Sequence, residues 1–581
     1  MQLRGHDTSN LRAGVVIVLL ILGAVAIGVG SVSDAVAIDQ PKHFAKAAKK
    51  KQLSKAKGGE PGQNLSAATP AALGKNVLGK DAPSKDAPGK GVLGKGMLGK
   101  DAPNKHALSK DALSKHALSK DALGKNVLKK DALGKSILGK HPTTMVERQR
   151  FRLDHRRELL TTRLRLPQRP LPGERGFTGV PPAGETRFVS TEMVFQVGSN
   201  VSRQALDNAM RRLGLSTIAS QTVGLTGGTV FHLRLADGRA VAEVVRALEV
   251  ENIGIAQPNY VYQLRQDATL AARGSAGDAS QYVVSKMRLG EAHRVATGSN
   301  VLVAVIDSAI DVRHPDLAGA VVEQFSAVGR PEKPHVHGTG MVGAIAAHSR
   351  LLGVAPKAKI LAVQAFSADS RQSPEATTRQ IIAGLEWAIG KGARVINMSF
   401  AGPYDPMLQL AMKNAHAKGV VLIAAAGNAG AKSPPLYPAA DPHVIAVTAT
   451  DQNDQLFGQA VQGPHVAVAA PGVDITVPAP SEAYQVTTGT SVAAAHVSGV
   501  AALLVERHPS VDAATILEVL TSSAKRLGAQ GRDDRFGWGL VDPASALAEL
   551  DARTSDSKVA TPAKPSAPKS SAPKPGAVSS R

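Results

Sequence analysis

Four residues could together cleave an acyl bond. Ser491 stands in "GTSVAAAHVSG" (489–499), His337 in "HVHGTG", Asp307 closes "VLVAVID" (301–307), and Asn428 closes "IAAAGN". A serine hydroxyl is a poor nucleophile near neutral pH and needs a base within hydrogen-bond reach. His337 would take its proton and later return it to the leaving group. Asp307 would hold the imidazole tautomer, and the Asn428 amide would donate to the developing oxyanion. Taken singly, each has a plainer use: a serine in a Gly/Ala-rich segment caps a helix, an aspartate after a strand caps a turn, and a histidine before glycine sits in a loop. By the same reasoning His335 is read as a satisfied loop histidine, His496 as a packed helix residue, and Asp311 and Asp316 as turn and capping residues.

What separates the four from these plainer uses is the kind of element each one ends or begins. From residue 281 the chain alternates buried strands ("VLVAVID", "ILAVQAF", "ARVINMSF", "VVLIAAAGN", "VIAVTAT") with helices ("RQIIAGLEWAIGKG", "PMLQLAMKNAHAKG", "TSVAAAHVSGVAALLVERHP"). Near-continuous apolar strands between amphipathic helices predict an α/β domain with a doubly wound, mostly parallel sheet covered on both faces. Ligands and reacting groups in such folds collect at the carboxyl ends of the strands. Asp307 and Asn428 end strands, and His337 and Ser491 stand at predicted helix starts. Upstream, residues 186–264 read as strand, helix, strand, strand, helix, strand, a small α+β sandwich of ferredoxin-like type. Residues 265–280, "RQDATLAARGSAGDAS", read as an exposed connector.

The order Asp, His, Asn, Ser, within the blocks "VAVIDSAIDVRHPDL", "HGTGMVGAIAA", "GVAPKAKI", "VINMSF", "AAAGNAG", "YPAADPHVIAVTATD", "GTSVAAAHVSG" and "GWGLVDPASAL", resembles the subtilases, family S8 of the serine endopeptidases. The resemblance covers about residues 281–551. It implies a subtilisin-like fold, a triad of Asp307, His337 and Ser491, and Asn428 in the oxyanion hole. By position it also implies a substrate groove at Ser399, Phe400, Ala401 and Gly427, with Leu436 narrowing the floor of the pocket next to the scissile bond and favouring modest apolar side chains. The upstream sandwich, ending in "AQPNYVYQL", resembles the inhibitory propeptide of that family, with self-cleavage after Leu264, within 264–281. The chain departs from the family pattern at Ser308-Ala309, Gly340, Ala495 and Phe400-Ala401, where Thr-Gly, His, Pro and Leu-Gly are usual. None of these removes a proton-transfer group, and Ala401 adds a methyl to a groove wall. Many subtilases hold calcium with a loop that "HSRLL" replaces here. It lacks the carboxylates and amides a hard cation wants, although Asp316 matches one family ligand, so no metal and no cofactor is expected.

The rest of the 581 residues is of a different character. The net charge of +22 is concentrated in the arms: residues 38–180 carry 31 Lys and Arg against 12 Asp and Glu, whereas residues 285–551 carry 21 against 23. Residues 13–30 form an uncharged apolar run followed by Ala35-Val36-Ala37, which reads as a signal peptide (residues 1–37) of a secreted, extracellular or periplasmic protein. Its length also suits a membrane anchor, and the lysines from Lys42 to Lys57 follow it. Residues 71–140 are pentapeptide repeats, each closed by lysine from Lys75 to Lys140. Period five matches neither helix nor strand, so a disordered basic region is expected over 38–182, with one short helix around 146–165 in an otherwise linker-like 141–182. Such an arm is a solvated spacer or a tether to polyanions or a membrane surface; no specific nucleic acid is expected. Residues 552–581 read as a disordered Pro/Ser/Ala/Lys tail. With no cysteine, disulfides and thiolate metal sites are excluded. The preferred reading is a self-processing serine endopeptidase acting on protein or peptide substrates, its catalytic domain monomeric. The rivals are a non-catalytic binding module of the same fold, and a polyanion-binding protein working through its arms.

Overall fold

The computed structural model describes residues 144–164, 169–172, 174–236, 238–264, 267–271, 281–367, 373–528 and 531–559. The apolar run 13–30, the pentapeptide repeats and the tail beyond 559 lie outside the described residues.

The first element is helix α1 (Met145–Leu164). Thr144 and Glu147 cap it reciprocally: the Glu147 amide donates to Thr144 Oγ1 (3.2 Å) and the Thr144 amide to Glu147 Oε2 (3.1 Å). The short helix expected near 146–165 is therefore present, but it is not part of a solvated linker. His155, Leu159 and Leu171 are buried.

Next comes strand β1 (Phe188–Val197), helix α2 (Arg203–Arg212), strands β2 (Leu215–Val223) and β3 (Gly228–Leu235), helix α3 (Val241–Glu251) and strand β4 (Ile255–Gln263). The four strands pair antiparallel in the order β2-β3-β1-β4. Side chains alternate across a strand, so β1 sends Met193, Phe195 and Val197 to the face covered by α2 and α3, where they meet Leu206, Val244 and Leu248. Val194 points the other way, into a core shared with the large domain. β3, β4 and the second half of β1 are thus mostly buried, whereas β2 at the edge is mostly exposed. A fifth strand, β5 (Asp267–Ala271), follows.

The large domain opens with two short helices, α4 (Tyr282–Lys286) and α5 (Leu289–Ala292). Then follow β6 (Leu302–Asp307), β7 (Val321–Ser326), α6 (Val336–Ala346), β8 (Lys359–Gln364), β9 (Glu375–Thr377), α7 (Thr378–Gly390), β10 (Val395–Met398), α8 (Pro406–Ala417), β11 (Val421–Ala425), β12 (Val444–Thr450) and β13 (Val466–Pro471). The strands β14 (Ile475–Ala479) and β15 (Ala483–Thr488) and the helices α9 (Thr490–Arg507), α10 (Ala513–Ser522) and α11 (Pro543–Val559) complete it. Seven strands form one parallel sheet, ordered β13-β12-β11-β10-β6-β8-β7. Alternation again divides the residues. Val303, Val305, Ile360 and Val421 face α6 and α9. Ala304, Ile306, Leu361 and Leu422 face α7 and α8. This is the doubly wound α/β architecture expected from the sequence. From β6 the chain builds first toward β8 and β7, then back through β10 to β13, so the order reverses between β6 and β10. A crevice at the carboxyl ends is expected there. The last helix runs on to Val559, past residue 552 where a disordered tail was expected, because Arg553 pairs with Glu518 (2.8 Å) and Glu549 (2.7 Å).

Candidate active site

Asp307 is the last residue of β6, beside the reversal point. Helix α6 begins opposite it. His335 caps that helix, its Nδ1 accepting from the His337 amide (3.2 Å), so the residue read as a loop histidine has a defined task. Burial and the neighbouring His337 lower the pKa of His335, which favours the neutral acceptor form. His337, in the first turn, turns its Nδ1 to Asp307, 2.8 Å from each carboxylate oxygen. Both residues are buried, with 1% and 0% of their side chains exposed. Ser308 completes the setting. Its amide (2.7 Å) and hydroxyl (3.0 Å) both donate to Asp307 Oδ1, while its Oγ accepts from the Gly338 amide (3.1 Å).

Ser491 lies in the first turn of α9, against the end of β10. The two elements are stitched reciprocally: Ser399 Oγ donates to the Ser491 carbonyl (2.9 Å), and Ser491 Oγ donates to the Ser399 carbonyl (3.2 Å). With the hydroxyl turned that way, His337 Nε2 is buried without a hydrogen-bond partner. Asn428 follows β11. Its Oδ1 accepts from the amide (3.1 Å) and the hydroxyl (2.7 Å) of Thr490, and that hydroxyl accepts from the Gly427 amide (3.0 Å). Fixing the carbonyl end of the side-chain amide fixes the direction of its NH2 end.

Comparison with known proteins bears on the domain that carries this crevice. The family model for the subtilase family matches residues 298–539. Subtilisin E of Bacillus subtilis (strain 168) is 38% identical over 275 residues, covering 46% of this chain and 70% of the relative. Thermitase of Thermoactinomyces vulgaris is 37% identical over 259 residues, 43% of this chain and 90% of the relative. The chain belongs to the subtilase family. A crystal structure of fervidolysin from Fervidobacterium pennivorans, described as a keratinolytic enzyme related to subtilisin, superposes with a TM-score of 0.56 at 26% identity, over 66% of this chain and 64% of that one. This chain therefore spans just under two thirds of fervidolysin's length.

In this subtilase the crevice contains part of the chain itself. Gln263, the end of β4, pairs with Ala401 through N–H···O bonds of 3.0 and 3.2 Å, and the Leu264 amide donates to the Pro374 carbonyl (3.1 Å). On the other side β4 pairs antiparallel with β9, and beyond residues 265–266 the backbone of β5 pairs with β15, with Asp267 opposite Thr488. Phe400, buried, sets its ring edge-on to Tyr262 at 5.7 Å. Gly427 has φ +107°, and a β-carbon there would stand 2.7 Å from Leu436 Cδ1, so these two groove candidates are neighbours. Gly402 is needed for close approach: a β-carbon would fall 2.3 Å from the Tyr262 ring.

Two polar residues here had no individual signal in the sequence. Thr490 ties Asn428 to α9, and Asp405, the N-cap of α8, accepts from Thr378 Oγ1 (2.6 Å), Gln257 Nε2 (2.7 Å), Tyr262 Oη (3.2 Å) and the Leu408 amide (3.0 Å). Burial raises the pKa of Asp405, and the four donors oppose that. The other candidates have structural partners. His496 Nδ1 meets the Pro471 carbonyl (2.8 Å), and burial lowers its pKa to about 4. Asp311 accepts from the Arg313 (3.2 Å) and Ser481 (2.9 Å) amides. Asp316 Oδ1 accepts from the Arg350 (2.5 Å) and Leu351 (3.2 Å) amides. With that oxygen engaged by protein donors and no carboxylate in 348–352, the donor set does not fit calcium. Among the described residues no three His, Asp or Glu cluster as metal ligands.

The Ser308 arrangement makes a direct prediction. Ser308→Ala removes one donor to a buried carboxylate and leaves the Gly338 amide without its acceptor. It should cost about 1–3 kcal/mol, read by urea denaturation in a Ser491→Ala background, whereas Ser308→Thr should cost little.

Proposed function

We propose that this subtilase is a serine endopeptidase, made as a self-processing proprotein, whose triad is Asp307, His337 and Ser491. The carrying observation is the Asp307–His337 pair with its unpartnered Nε2 beside the Ser491 helix. Ser491 Oγ leaves the Ser399 carbonyl by rotation about its side chain, gives its proton to His337 Nε2 and attacks the substrate carbonyl. In free enzymes such catalytic contacts are commonly loose and tighten only with substrate. The imidazolium that forms is stabilised by Asp307 and protonates the leaving amine. Water then hydrolyses the acyl-enzyme by the same route in reverse. The oxyanion is met by the Asn428 NH2 and by the free backbone N–H of Ser491 at the positive end of α9. Losing one side-chain donor of this kind costs on the order of 10²–10³ in turnover, a magnitude known from subtilisin itself.

In this reading residues 183–264 are the inhibitor-like propeptide of ferredoxin-like type, 265–280 the processing region and 281–551 the catalytic domain. Its support is the route of β4, which fills the groove as an added strand, and of β5, which resumes beside β15 three residues before Ser491. Leu264, bonded to the Pro374 carbonyl, and Asp267, opposite Thr488, stand at the start of the interval expected for self-cleavage. Residues 1–37 would export or anchor the protein, giving a secreted enzyme in the first case, and the basic arm would touch polyanions or a membrane surface.

The occupied groove also points to a substrate class. Once β4 leaves, Asp405 loses two of its four donors, Gln257 and the Tyr262 hydroxyl. A substrate tyrosine in the place of Tyr262 restores one of them, and a phenylalanine leaves the buried carboxylate short.

Two experiments test this. Intact mass of the full chain should show a cut within 264–281 for wild type and none for Ser491→Ala; cleavage in both would refute Ser491 as the nucleophile. With the processed enzyme, a peptide copying residues 257–270 should be cut about 10- to 100-fold faster, in kcat/KM, than its Tyr262→Phe counterpart, as expected for a lost hydrogen bond to a charged group. Equal rates would remove Asp405 as the discriminating group.

A further inference from the structure

Helix α1 lies upstream of the sandwich and docks on the large domain far along the chain from the groove segment. Its arginines at 148, 152 and 156 recur every four residues, which puts them in one row on the helix. Opposite them stand acids of α10 and α11. Arg152 bonds Glu549 (3.0 Å) and Asp556 (2.8 Å), Arg156 reaches Glu518 (3.1 Å), and Arg148 lies 3.8 Å from Asp556. Beside the row, His155 is 4% exposed. It bonds Thr521 (2.9 Å) and meets Trp538 edge-on at 4.2 Å. Leu159, one turn on, is buried as well. Isolated surface ion pairs add little, but here Arg152 is 13% exposed and holds two carboxylates within a linked set. The buried histidine and leucine anchor the same face. Downstream, Arg169 stacks on Tyr404 at 4.5 Å, and Leu171 is buried.

The partners of α1, Glu518, Thr521, Trp538, Glu549 and Asp556, are not among the groove contacts of β4. The region upstream of the processing interval is therefore held on the large domain by the sandwich with its groove strand and, separately, by α1. We propose that α1 is a clasp that keeps the N-terminal region on the catalytic domain after the connection at 264–281 is cut. The inference rests on the self-processing reading. After the cut, departure of β4 from the groove becomes an intramolecular opening while α1 stays docked. The inhibitory strand then returns at an effective concentration on the order of millimolar for a short tether. Cleavage alone does not free the groove; release of α1, or its destruction, does. The clasp also keeps the basic arm, covalently continuous with α1, attached to the cut enzyme.

The test uses the full chain with Ser491→Ala and a foreign protease site within 272–280, so that the cut does not depend on the protein's own activity. After cutting, dissociation of the N-terminal piece is followed by native gel filtration at about 0.1 M salt. The expected result is a complex that elutes as one species, and an Arg152→Glu/Arg156→Glu variant that separates at least tenfold faster. A second variant, Arg150→Glu/Arg157→Glu, makes the same charge change at exposed α1 positions and should match the parent. Equal rates for the first variant and the parent would overturn the clasp, as would equal acceleration by both variants. Failure of the self-processing reading shows separately, as an uncut chain when Ser491 is intact.

Discussion

A carboxylate with none of its surface exposed, at the end of the interior strand β6, is the constraint around which this structure is arranged. An unpaired buried charge would be intolerable. Asp307 is tolerated because Ser308 supplies two donors and His337 a third group across the crevice. That arrangement dictates where α6 must start, since only its first turn brings His337 to β6. The cap on that turn is another histidine, His335. The same logic sets the opposite wall. Ser399 and Ser491 exchange hydrogen bonds, and Thr490 joins Asn428 to the head of α9, so Ser491 and the Asn428 amide are placed by one short stretch of backbone.

A second consequence concerns the N-terminal region. Its sheet carries apolar residues on both faces away from the edge strand β2: one set is covered by its own helices, and the other shares a core with the large domain. The sandwich is thus built to lie against the catalytic fold. Tyr260 and Tyr262 carry the contact into the groove, where the Tyr260 amide meets Thr378 Oγ1 (3.0 Å), and at the turn between β2 and β3 Glu386 of α7 accepts from the Gly224 (2.9 Å) and Leu225 (3.0 Å) amides. On the self-processing reading, specificity and inhibition would be read by the same residues, because β4 lies in the groove as an added strand.

Much of this was legible in the sequence. Strands buried on both faces must be apolar at every position, so "VLVAVID" and "VVLIAAAGN" announce themselves, and the polar residues that end them stand out. Strand β7, "VVEQFS", lacks that signal because it is an edge strand with Glu323 and Gln324 turned to solvent. Strand β13, "VAVAAP", is too rich in alanine to declare a strand. Helix α1 misled for a physical reason: a row of arginines reads as a solvated face unless its acidic partners, about 360 to 400 residues away, are known. Thr490 and Asp405 were hidden likewise, since what distinguishes them is the partner and not the residue type. The assignments of Leu436 and Gly427 rested on position alone, and the structure sets them side by side.

The central claim is that Ser491 is made nucleophilic by His337 and Asp307. The most direct measurement is covalent trapping of the processed protein with a fluorophosphonate, which reacts with activated serines, followed by peptide mapping. The account predicts one adduct, on Ser491, lost in His337→Ala. An adduct on another serine, or undiminished labelling of Ser491 without His337, would contradict it.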